Sequence, residues 1–361
     1  MVALAAAHCN TTDHTRRGYL RGIAATYGAP PRPVIVVPGF GVTRLYDPVT
    51  NRYVWGTPRA TVITHYEDDL DLPLSPGERV PKADEGSHDR LVPRGFVGSR
   101  GPVNIAWQLS EGLRKFGRYT RDVDLFAFAY DWRLPARENA ARLGELVERV
   151  RHGGKVDIVT HSAGALVALT YAKLLGGSKN IEHLVLIAPA QRGVVDAFRL
   201  FVRPERFIRR SFTPEMVMTW PSVAELLPED GRFLVDEQGR TIDRDLWTAA
   251  GWRGILDGTP RALEEAHRFR QELAAAPLTI KPTVIAGDCV PTARRVLMRS
   301  DGTFAFYPDE TTLPLFEPGD GTVPASGTGA DAMLFCDGHQ GIAADPSVHR
   351  AILRALRSPS L

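Results

Sequence analysis

The chain has 361 residues, of which 43% are hydrophobic and 24% charged, a composition that supports a large folded core. Its 44 basic and 42 acidic residues give a formal net charge of +2, so the basic excess typical of nucleic-acid-binding proteins is missing. No apolar run in the sequence approaches the roughly 18 residues that a membrane-spanning helix needs.

Residues 1–32 are predicted to form an N-terminal arm. The short apolar run near the start has no basic residues before it, the reverse of a secretory signal. Cys9, Cys289 and Cys336 cannot all pair and show no C-x-x-C spacing, so neither a disulfide framework nor a zinc site is indicated. We therefore expect a soluble, cytoplasmic protein with no metal and no cofactor.

The first part of the core is predicted at 33–190. It begins with the strand 33–37 (PVIVV), which is apolar throughout, as in buried strands of parallel sheets. Residues 41–101 are rich in proline, aspartate and arginine, and this stretch is too long for an ordinary connection. We interpret it as a lid-like excursion from the core.

Strands and helices then alternate along the chain. The patterns predict a helix at 103–117, a strand at 124–130, a helix from Pro135 to Gly153, a strand at 156–159, a helix at 163–175 and a strand at 183–188. This alternation is typical of βαβ units. The predicted fold class is α/β, with a mostly parallel central sheet flanked by helices.

The strand rhythm stops at 191–278, which we interpret as a cap inserted into the core. Its segment 198–210 (FRLFVRPERFIRR) fits a helix lying on an anionic membrane with its aromatic side down, or a cap helix with a solvated face. The cap also contains a predicted hairpin at 236–239 and a predicted helix at 261–274.

The core is predicted to resume over 279–361. The patterns there predict a strand at 283–286, a hairpin at 301–302, a strand at 332–336 and a closing helix from Ser347.

A candidate nucleophile lies in the segment 158–166 (IVTHSAGAL), where a β-branched strand runs into an apolar helix with Ser162 at the corner. This is the placement of the nucleophile elbow, although Thr160 occupies the first glycine position of the Gly-x-Ser-x-Gly pattern. A serine hydroxyl needs a histidine to accept its proton and a carboxylate to orient that histidine. The alternative interpretation is a serine that caps a helix.

Partners for Ser162 are expected after it, in the order acid then histidine. Asp320 in GDGTVP and His339 just after the last strand both follow predicted strands, where a parallel sheet places its active site. Asp288 also follows a strand and remains an alternative acid, while GDGT also fits an ordinary surface turn. We expect His161 to serve packing and His349 to be structural or solvated.

An oxyanion hole needs two backbone N–H donors, one from the residue after the nucleophile and one from a loop after an earlier strand. Ala163 supplies the first by its position. Phe40, between two glycines in the segment 37–41 (VPGFG), supplies the second.

Six segments resemble the lecithin:cholesterol acyltransferase and phospholipid:diacylglycerol acyltransferase family of α/β-hydrolases: PVIVVPGFGVTRL, YDWRL, HSAG, LIAPAQRG, TWPSVAELLP and GDGTVP. The resemblance implies an α/β-hydrolase fold with Ser162, Asp320 and His339 as the catalytic triad and with Phe40 and Ala163 at the oxyanion hole. Thr160 and APAQRG depart from the family pattern. Neither Cys289 nor Cys336 stands where the disulfide cysteines of secreted members are expected.

The expected function is that of a Ser-Asp-His acyltransferase or ester hydrolase that forms an acyl-enzyme from a lipid or another acyl ester. The acyl group then passes to water, as in a lipase or phospholipase, or to an alcohol acceptor. Two alternatives stay open: a tailoring acyltransferase, cyclase or thioesterase of a small-molecule pathway, and a catalytically silent binding protein. The expected partners include transient contact with a membrane surface but no nucleic acid.

Overall fold

The computed structural model of the chain describes residues 28, 30–57, 60, 70, 72, 91–98, 104–207 and 210–358. Most of the predicted N-terminal arm and part of the predicted excursion at 41–101 lie outside these residues. The start of the predicted helix at 103–117 lies outside them as well.

The described strands are numbered in chain order. They are β1 Val34–Val37, β2 Thr43–Asp47, β3 Arg52–Trp55, β4 Val92–Phe96, β5 Leu125–Ala127, β6 Val156–His161, β7 Ile181–Ile187, β8 Glu205–Phe207, β9 Arg210–Phe212, β10 Leu234–Val235, β11 Thr283–Gly287, β12 Val290–Ala293, β13 Val296–Met298, β14 Phe304–Ala305, β15 Phe316–Gly319 and β16 Met333–Phe335.

The described α-helices follow the same numbering. They are α1 Ile105–Gly117, α2 Ala136–Val150, α3 Gly164–Leu174, α4 Val195–Val202, α5 Pro214–Met218, α6 Pro221–Glu225, α7 Leu263–Ala275 and α8 Pro346–Arg357.

Six of the strands form a central sheet in the order β16-β11-β7-β6-β1-β5, with parallel pairing throughout. All four residues of β1 and all six of β6 are buried, as expected for strands covered on both faces. The predicted α/β class with a parallel central sheet flanked by helices is confirmed.

The helices beside this sheet differ in how they are buried. In α2 the predicted apolar face, which includes Ala140, Leu143 and Val147, is buried while the opposite face is charged. In α3, which follows Ser162, nine of the eleven residues are buried, so this helix lies inside the protein rather than on its surface. A helix held on nearly all sides gives the residue at its start a fixed position.

The predicted excursion contributes a three-stranded antiparallel sheet in the order β3-β2-β4. Trp55 at the end of β3 is buried and its indole N–H donates to the carbonyl oxygen of Gly41 at 2.6 Å. The excursion is therefore bonded to the loop that follows β1.

The segment 191–278 contains short helices and strands outside the central sheet, and its treatment as a separate cap stays a prediction. Phe198 and Phe201 in its basic-aromatic segment are fully buried, and their rings contact Trp252. The arrangement in which these aromatic side chains face a membrane is therefore wrong. Among the described residues, no helix combines the length and the apolar character that crossing a membrane requires.

Two further predictions change in detail. The strand predicted at 124–130 ends at Ala127. The N–H of Phe128 still donates to the carbonyl oxygen of Val36, and beyond it the side chains of Tyr130 and Trp132 bond to Pro38 and Thr43. The expectation that the cysteines form no disulfide is wrong, since Cys289 and Cys336 are joined in one. They follow β11 and β16, two neighbouring strands whose carboxyl ends lie side by side.

Candidate active site

The site forms where the strand order of the central sheet reverses. From β1 the chain crosses to β5 on one side and then to β6 on the other side of β1. The loops that follow two neighbouring strands run to opposite sides at this point and leave a crevice between them at the carboxyl end of the sheet. The loop 38–41 and Ser162 lie at this crevice.

Ser162 occupies a sharp turn between β6 and α3, with a φ of 55°. A non-glycine residue in the left-handed region carries strain, which is a mark of functional turns. The turn is held by the backbone N–H of Ser162, which donates to the carbonyl oxygen of Ile187 at 3.0 Å. The arrangement agrees with the elbow predicted from the sequence.

Glycine is required after the serine because the backbones approach closely there. A Cβ atom added at Gly164 would lie 2.5 Å from the carbonyl oxygen of Val37 and 2.4 Å from that of Pro38. On the facing loop, a Cβ added at Gly39 would lie 2.9 Å from the Cβ of Ser162. Larger residues at either position would force the two loops apart.

Thr160, which replaces the other glycine of the pattern, lies within β6 and is fully buried. In the sheet it pairs with Val37 on one side and Leu186 on the other. Among the described residues its hydroxyl group has no hydrogen-bond partner. The threonine is thus accommodated in the sheet with an unsatisfied polar atom.

Ser162, His339 and Asp320 form a continuous line of hydrogen bonds. The Nε2 atom of His339 lies 2.9 Å from the Oγ atom of Ser162, and its Nδ1 atom lies 2.8 Å from Oδ2 of Asp320. The backbone N–H of His339 also donates to the carbonyl oxygen of Asp320 at 2.7 Å. The three residues chosen from the sequence are therefore brought together in the expected order.

Asp320 is held in its ionised form. Burial opposes the charge, but His339 and the backbone N–H groups of Val323 and Thr322 outweigh it, so the pKa of this carboxyl is lowered. The two N–H groups donate to Oδ1 at 2.6 Å and 2.9 Å, leaving Oδ2 for the histidine. An ionised acid fixes the tautomer of His339 with its proton on Nδ1 and with Nε2 free to accept.

The other candidate residues lie apart from this line. The carboxylate partner that the structure provides for His339 is Asp320, whereas the backbone N–H of Asp288 bonds to Phe335 beside the disulfide. His349 is buried in α8 and bonds through Nε2 to the carbonyl oxygen of Ala343 at 2.8 Å. It contributes to the packing of the terminal helix.

His161 does more than the packing expected of it. Its Nε2–H donates to the carbonyl oxygen of His339 at 2.9 Å, and the two rings lie 4.7 Å apart. Burial, with a smaller contribution from His339, lowers the pKa of His161 to about 3, so the ring is neutral at ordinary pH. It connects β6 to the loop of the candidate base, a long-range contact that local sequence patterns do not contain.

Two backbone N–H groups belong to residues that line the cavity with the serine. Within the described residues, neither the N–H of Phe40 nor that of Ala163 has a hydrogen-bond acceptor, and both residues line one cavity with Ser162. The hydroxyl of Tyr130 donates to the carbonyl oxygen of Pro38 at 2.8 Å and so steadies the loop of Phe40. Free N–H groups in fixed positions are what an oxyanion hole requires.

The rest of the YDWRL segment braces the same loops. The indole N–H of Trp132 donates to the carbonyl oxygen of Thr43 at 3.1 Å. Arg133 and Asp131 form a fully buried ion pair with Nη2 to Oδ2 at 2.7 Å, and Nη1 of Arg133 bonds to the carbonyl oxygen of Leu70. The segment therefore ties the excursion to the crevice.

The cavity at Ser162 has a volume of about 230 Å³. Its apolar lining is partly aromatic and includes Phe40, Trp55, Phe212, Val223 and Leu226. Its polar lining includes Asp196, Arg199, Glu205, Thr322 and His339, and Glu205 is paired with Phe212 across strands β8 and β9. A ligand with both apolar and polar parts fits this mixed lining.

A family model described as the alpha/beta hydrolase family matches residues 34–325. The chain belongs to the alpha/beta hydrolase family. In this alpha/beta hydrolase the match spans β1, the serine turn and the loop of Asp320. A comparison with curated proteins gave no match.

Solved structures resemble this alpha/beta hydrolase in fold. A chain in the crystal structure of the Tle4–Tli4 complex is 16% identical, with 91% of this chain and 98% of that chain covered and a TM-score of 0.63. The mature Bacillus licheniformis lipase BlEst2 is 12% identical, with 91% of each chain covered and a TM-score of 0.41. Phospholipase PlaB from Legionella pneumophila is 15% identical over 92% of this chain and 60% of its own, with a TM-score of 0.33. The first of these structures shows that the fold is shared.

Proposed function

We propose that this alpha/beta hydrolase is a serine-nucleophile acyl-transfer enzyme, either a lipid O-acyltransferase or an esterase of the lipase or phospholipase type. The observation that carries the proposal is the hydrogen-bonded line from Asp320 through His339 to Ser162, which opens into a cavity with a largely apolar lining. A serine in this setting attacks the carbonyl carbon of an ester.

The first half of the reaction forms an acyl-enzyme. Oγ of Ser162 bonds to the ester carbonyl carbon while its proton passes to Nε2 of His339. The N–H groups of Phe40 and Ala163 hold the negative oxygen of the tetrahedral intermediate. The bond to the alcohol then breaks, and the alcohol leaves with the proton from His339.

The second half releases the acyl group. Nε2 of His339 takes a proton from water or from a second alcohol, whose oxygen attacks the acyl carbon, and Ser162 recovers its proton. Water gives a free acid and an alcohol gives a new ester, so the outcome depends on which molecule lies beside His339 when the acyl-enzyme reacts.

The resemblance to lecithin:cholesterol and phospholipid:diacylglycerol acyltransferases belongs to this proposal, and it favours a lipid ester as substrate. The aromatic lining at Phe40 and Trp55 supports an acyl chain of apolar character. Transient contact with a membrane surface would rest on residues other than the buried Phe198 and Phe201.

Labelling with a fluorophosphonate probe tests the nucleophile. We expect covalent labelling of the wild-type protein, none of the Ser162→Ala variant, and normal labelling of a Ser300→Ala control, which changes an exposed serine. Equal labelling of the Ser162→Ala variant would refute the assignment of Ser162. A folded wild-type protein that resists the probe would favour the silent binding protein.

Product analysis then decides the reaction. The protein is incubated with a labelled phospholipid, with and without a lipid alcohol, and the free fatty acid and new ester are measured. Free acid alone identifies a hydrolase, and new ester identifies a transacylase. Probe labelling without turnover of the lipid would favour a tailoring enzyme of a small-molecule pathway.

A further inference from the structure

The polar lining of the cavity includes a three-residue charged cluster: Asp196, Arg199 and Glu205. Nε of Arg199 donates to Oδ1 of Asp196 at 2.9 Å, and Nη1 donates to Oε2 of Glu205. Burial alone would lower the pKa of Arg199, but attraction to Asp196 and the bond to Glu205 raise it, so the guanidinium stays charged. We define these three residues as the charged cluster.

The charged cluster has an excess of negative charge. Among the described residues that line the cavity, its two carboxylates and one guanidinium are the side chains with a formal charge. The Arg199 side chain is 13% exposed, whereas those of Asp196 and Glu205 are 32% and 31% exposed. A ligand in the cavity therefore meets carboxylate oxygens more readily than the guanidinium.

One carboxylate oxygen of the charged cluster has no hydrogen-bond donor among the residues that the structure describes. Oδ1 and Oδ2 of Asp196 accept from Arg199 and Thr322, and Oε2 of Glu205 accepts from Arg199. Within the described part of the chain, Oε1 of Glu205 has no donor. It is available to a hydroxyl group or a cation on the substrate.

The charged cluster is linked to the candidate triad, where the alcohol must be. His339 gives its proton to the leaving alcohol and takes one from an incoming alcohol, so both alcohols lie beside His339. Thr322 joins the candidate triad to the charged cluster, because its N–H donates to Oδ1 of Asp320 and its hydroxyl donates to Oδ2 of Asp196 at 3.3 Å. We assign the aromatic lining at Phe40 of the oxyanion loop to the acyl chain.

We propose that the charged cluster, through Glu205, recognises the alcohol part of the ester and selects an alcohol with hydroxyl groups or positive charge over one with negative charge. This inference rests on the proposed function, because it assigns the substrate class of the same site. It makes Glu205 a specificity-determining residue for both the leaving alcohol and an acceptor.

Four esters with the same short acyl chain test the selection. Their alcohol parts are propyl, 2,3-dihydroxypropyl, 2-(trimethylammonio)ethyl and carboxymethyl, which are apolar, hydroxylated, cationic and anionic in turn. For the wild-type protein we expect kcat/KM to be about fivefold higher for the hydroxylated and cationic esters than for the propyl ester, as for one charge contact at a partly exposed site. The anionic ester should be the poorest substrate, and comparing the two favoured esters separates charge from hydrogen bonding.

Two variants test whether Glu205 causes the preference for hydroxylated and cationic esters. In Glu205→Gln the ratio for the cationic over the propyl ester should fall to about one, and in Glu205→Lys the anionic ester should overtake the cationic one. The control is Glu148→Gln, which removes an exposed carboxylate paired with Arg151 on α2 and should keep every wild-type ratio. Because the ratios compare substrates within one protein, a general loss of activity does not imitate the effect.

Labelling with the fluorophosphonate probe distinguishes a failure of the proposed role of the charged cluster from a failure of the proposed function. If Ser162 is labelled and the variants keep the wild-type ratios, or the wild-type protein prefers the anionic ester or turns over none of the four, the role of the charged cluster is refuted. If Ser162 is not labelled, the proposed function itself fails.

Discussion

The disulfide between Cys289 and Cys336 provides a sharp test of the structure, because the cysteine pattern alone did not indicate it. It joins the ends of β11 and β16, and Cys336 lies three residues before the candidate base His339. Replacing both cysteines by serine removes the cross-link and leaves the pairing of the two strands to hold the loop. We expect the main effect to be on the free energy of unfolding.

The size of the effect follows from the length of chain that the disulfide closes. The cysteines are 47 residues apart. A loop of that length, closed in the unfolded chain, corresponds to about 4 kcal/mol at 25 °C in the chain-entropy treatment. This is a large share of the roughly 5–15 kcal/mol by which folded domains are stable.

The assay is urea unfolding of the oxidised protein, of the protein in dithiothreitol, and of the Cys289→Ser/Cys336→Ser variant. Both cysteines are exposed, so the reductant has access to the bond. The reduced protein and the double variant should lose the same stability, and a Ser300→Ala control, which changes an exposed serine, should lose little. Titration of thiols in denaturant without reductant should find one thiol per chain.

Three thiols in the freshly purified, air-oxidised protein would show that the bond does not form. One thiol together with unchanged unfolding midpoints on reduction would show that the cross-link adds nothing to the strand pairing. Either result would refute the predicted contribution of the disulfide to stability.

Three further predictions concern single side chains. Asp320→Asn should lower kcat for an ester that the wild-type protein turns over by about 10⁴-fold, because an amide does not hold His339 in its reactive tautomer. Asp288→Asn should leave kcat unchanged. If Asp288→Asn lost activity and Asp320→Asn kept it, Asp288 would be the acid. Burial raises the pKa of Glu225 to about 8, so the folded protein binds its proton more tightly than the unfolded chain does. The free energy of unfolding should therefore decline as pH rises from about 4.5 to 8, by up to about 1.4 kcal/mol per pH unit. Glu225→Gln should remove this pH dependence in urea unfolding, and an unchanged pH dependence would contradict the prediction. Thr160→Val should raise the free energy of unfolding by about 1 kcal/mol, because it deletes a buried hydroxyl group that has no hydrogen-bond partner among the described residues. A loss of stability in urea unfolding would show that this hydroxyl group has a hydrogen-bond partner.

The sequence was sufficient for the sheet and for part of the candidate triad because both depend on local patterns. Apolar strands alternating with amphipathic helices predict a parallel sheet, and residues that follow such strands meet at one edge of it. Ser162 and His339 follow β6 and β16 of the central sheet, so their approach could be expected without knowledge of any side-chain contact. Asp320 follows β15, which pairs with β12 outside the central sheet, so the parallel-sheet pattern alone does not place it.

The contacts that the sequence did not predict form between segments that are far apart in the sequence but adjacent in the fold. Cys289 and Cys336 pair because β11 and β16 lie side by side, although 47 residues separate the cysteines. The bond from His161 to the backbone of His339 crosses the molecule in the same way. The basic-aromatic segment left two interpretations open, because its pattern is the same whether its rings face a membrane or a core, and the buried Phe198 agrees with the cap helix.

The backbone bond between His339 and Asp320 fixes the spacing of these two residues. Ser162 and the loop of Phe40 are held together by other contacts, because β1 and β6 are paired directly and Gly164 lets their loops touch. The bonds from His339 to Ser162 and to His161 connect the two pairs. We therefore expect a mutation far from the serine to impair the candidate site when it shifts the loop of His339, even if the spacing within each pair is unchanged.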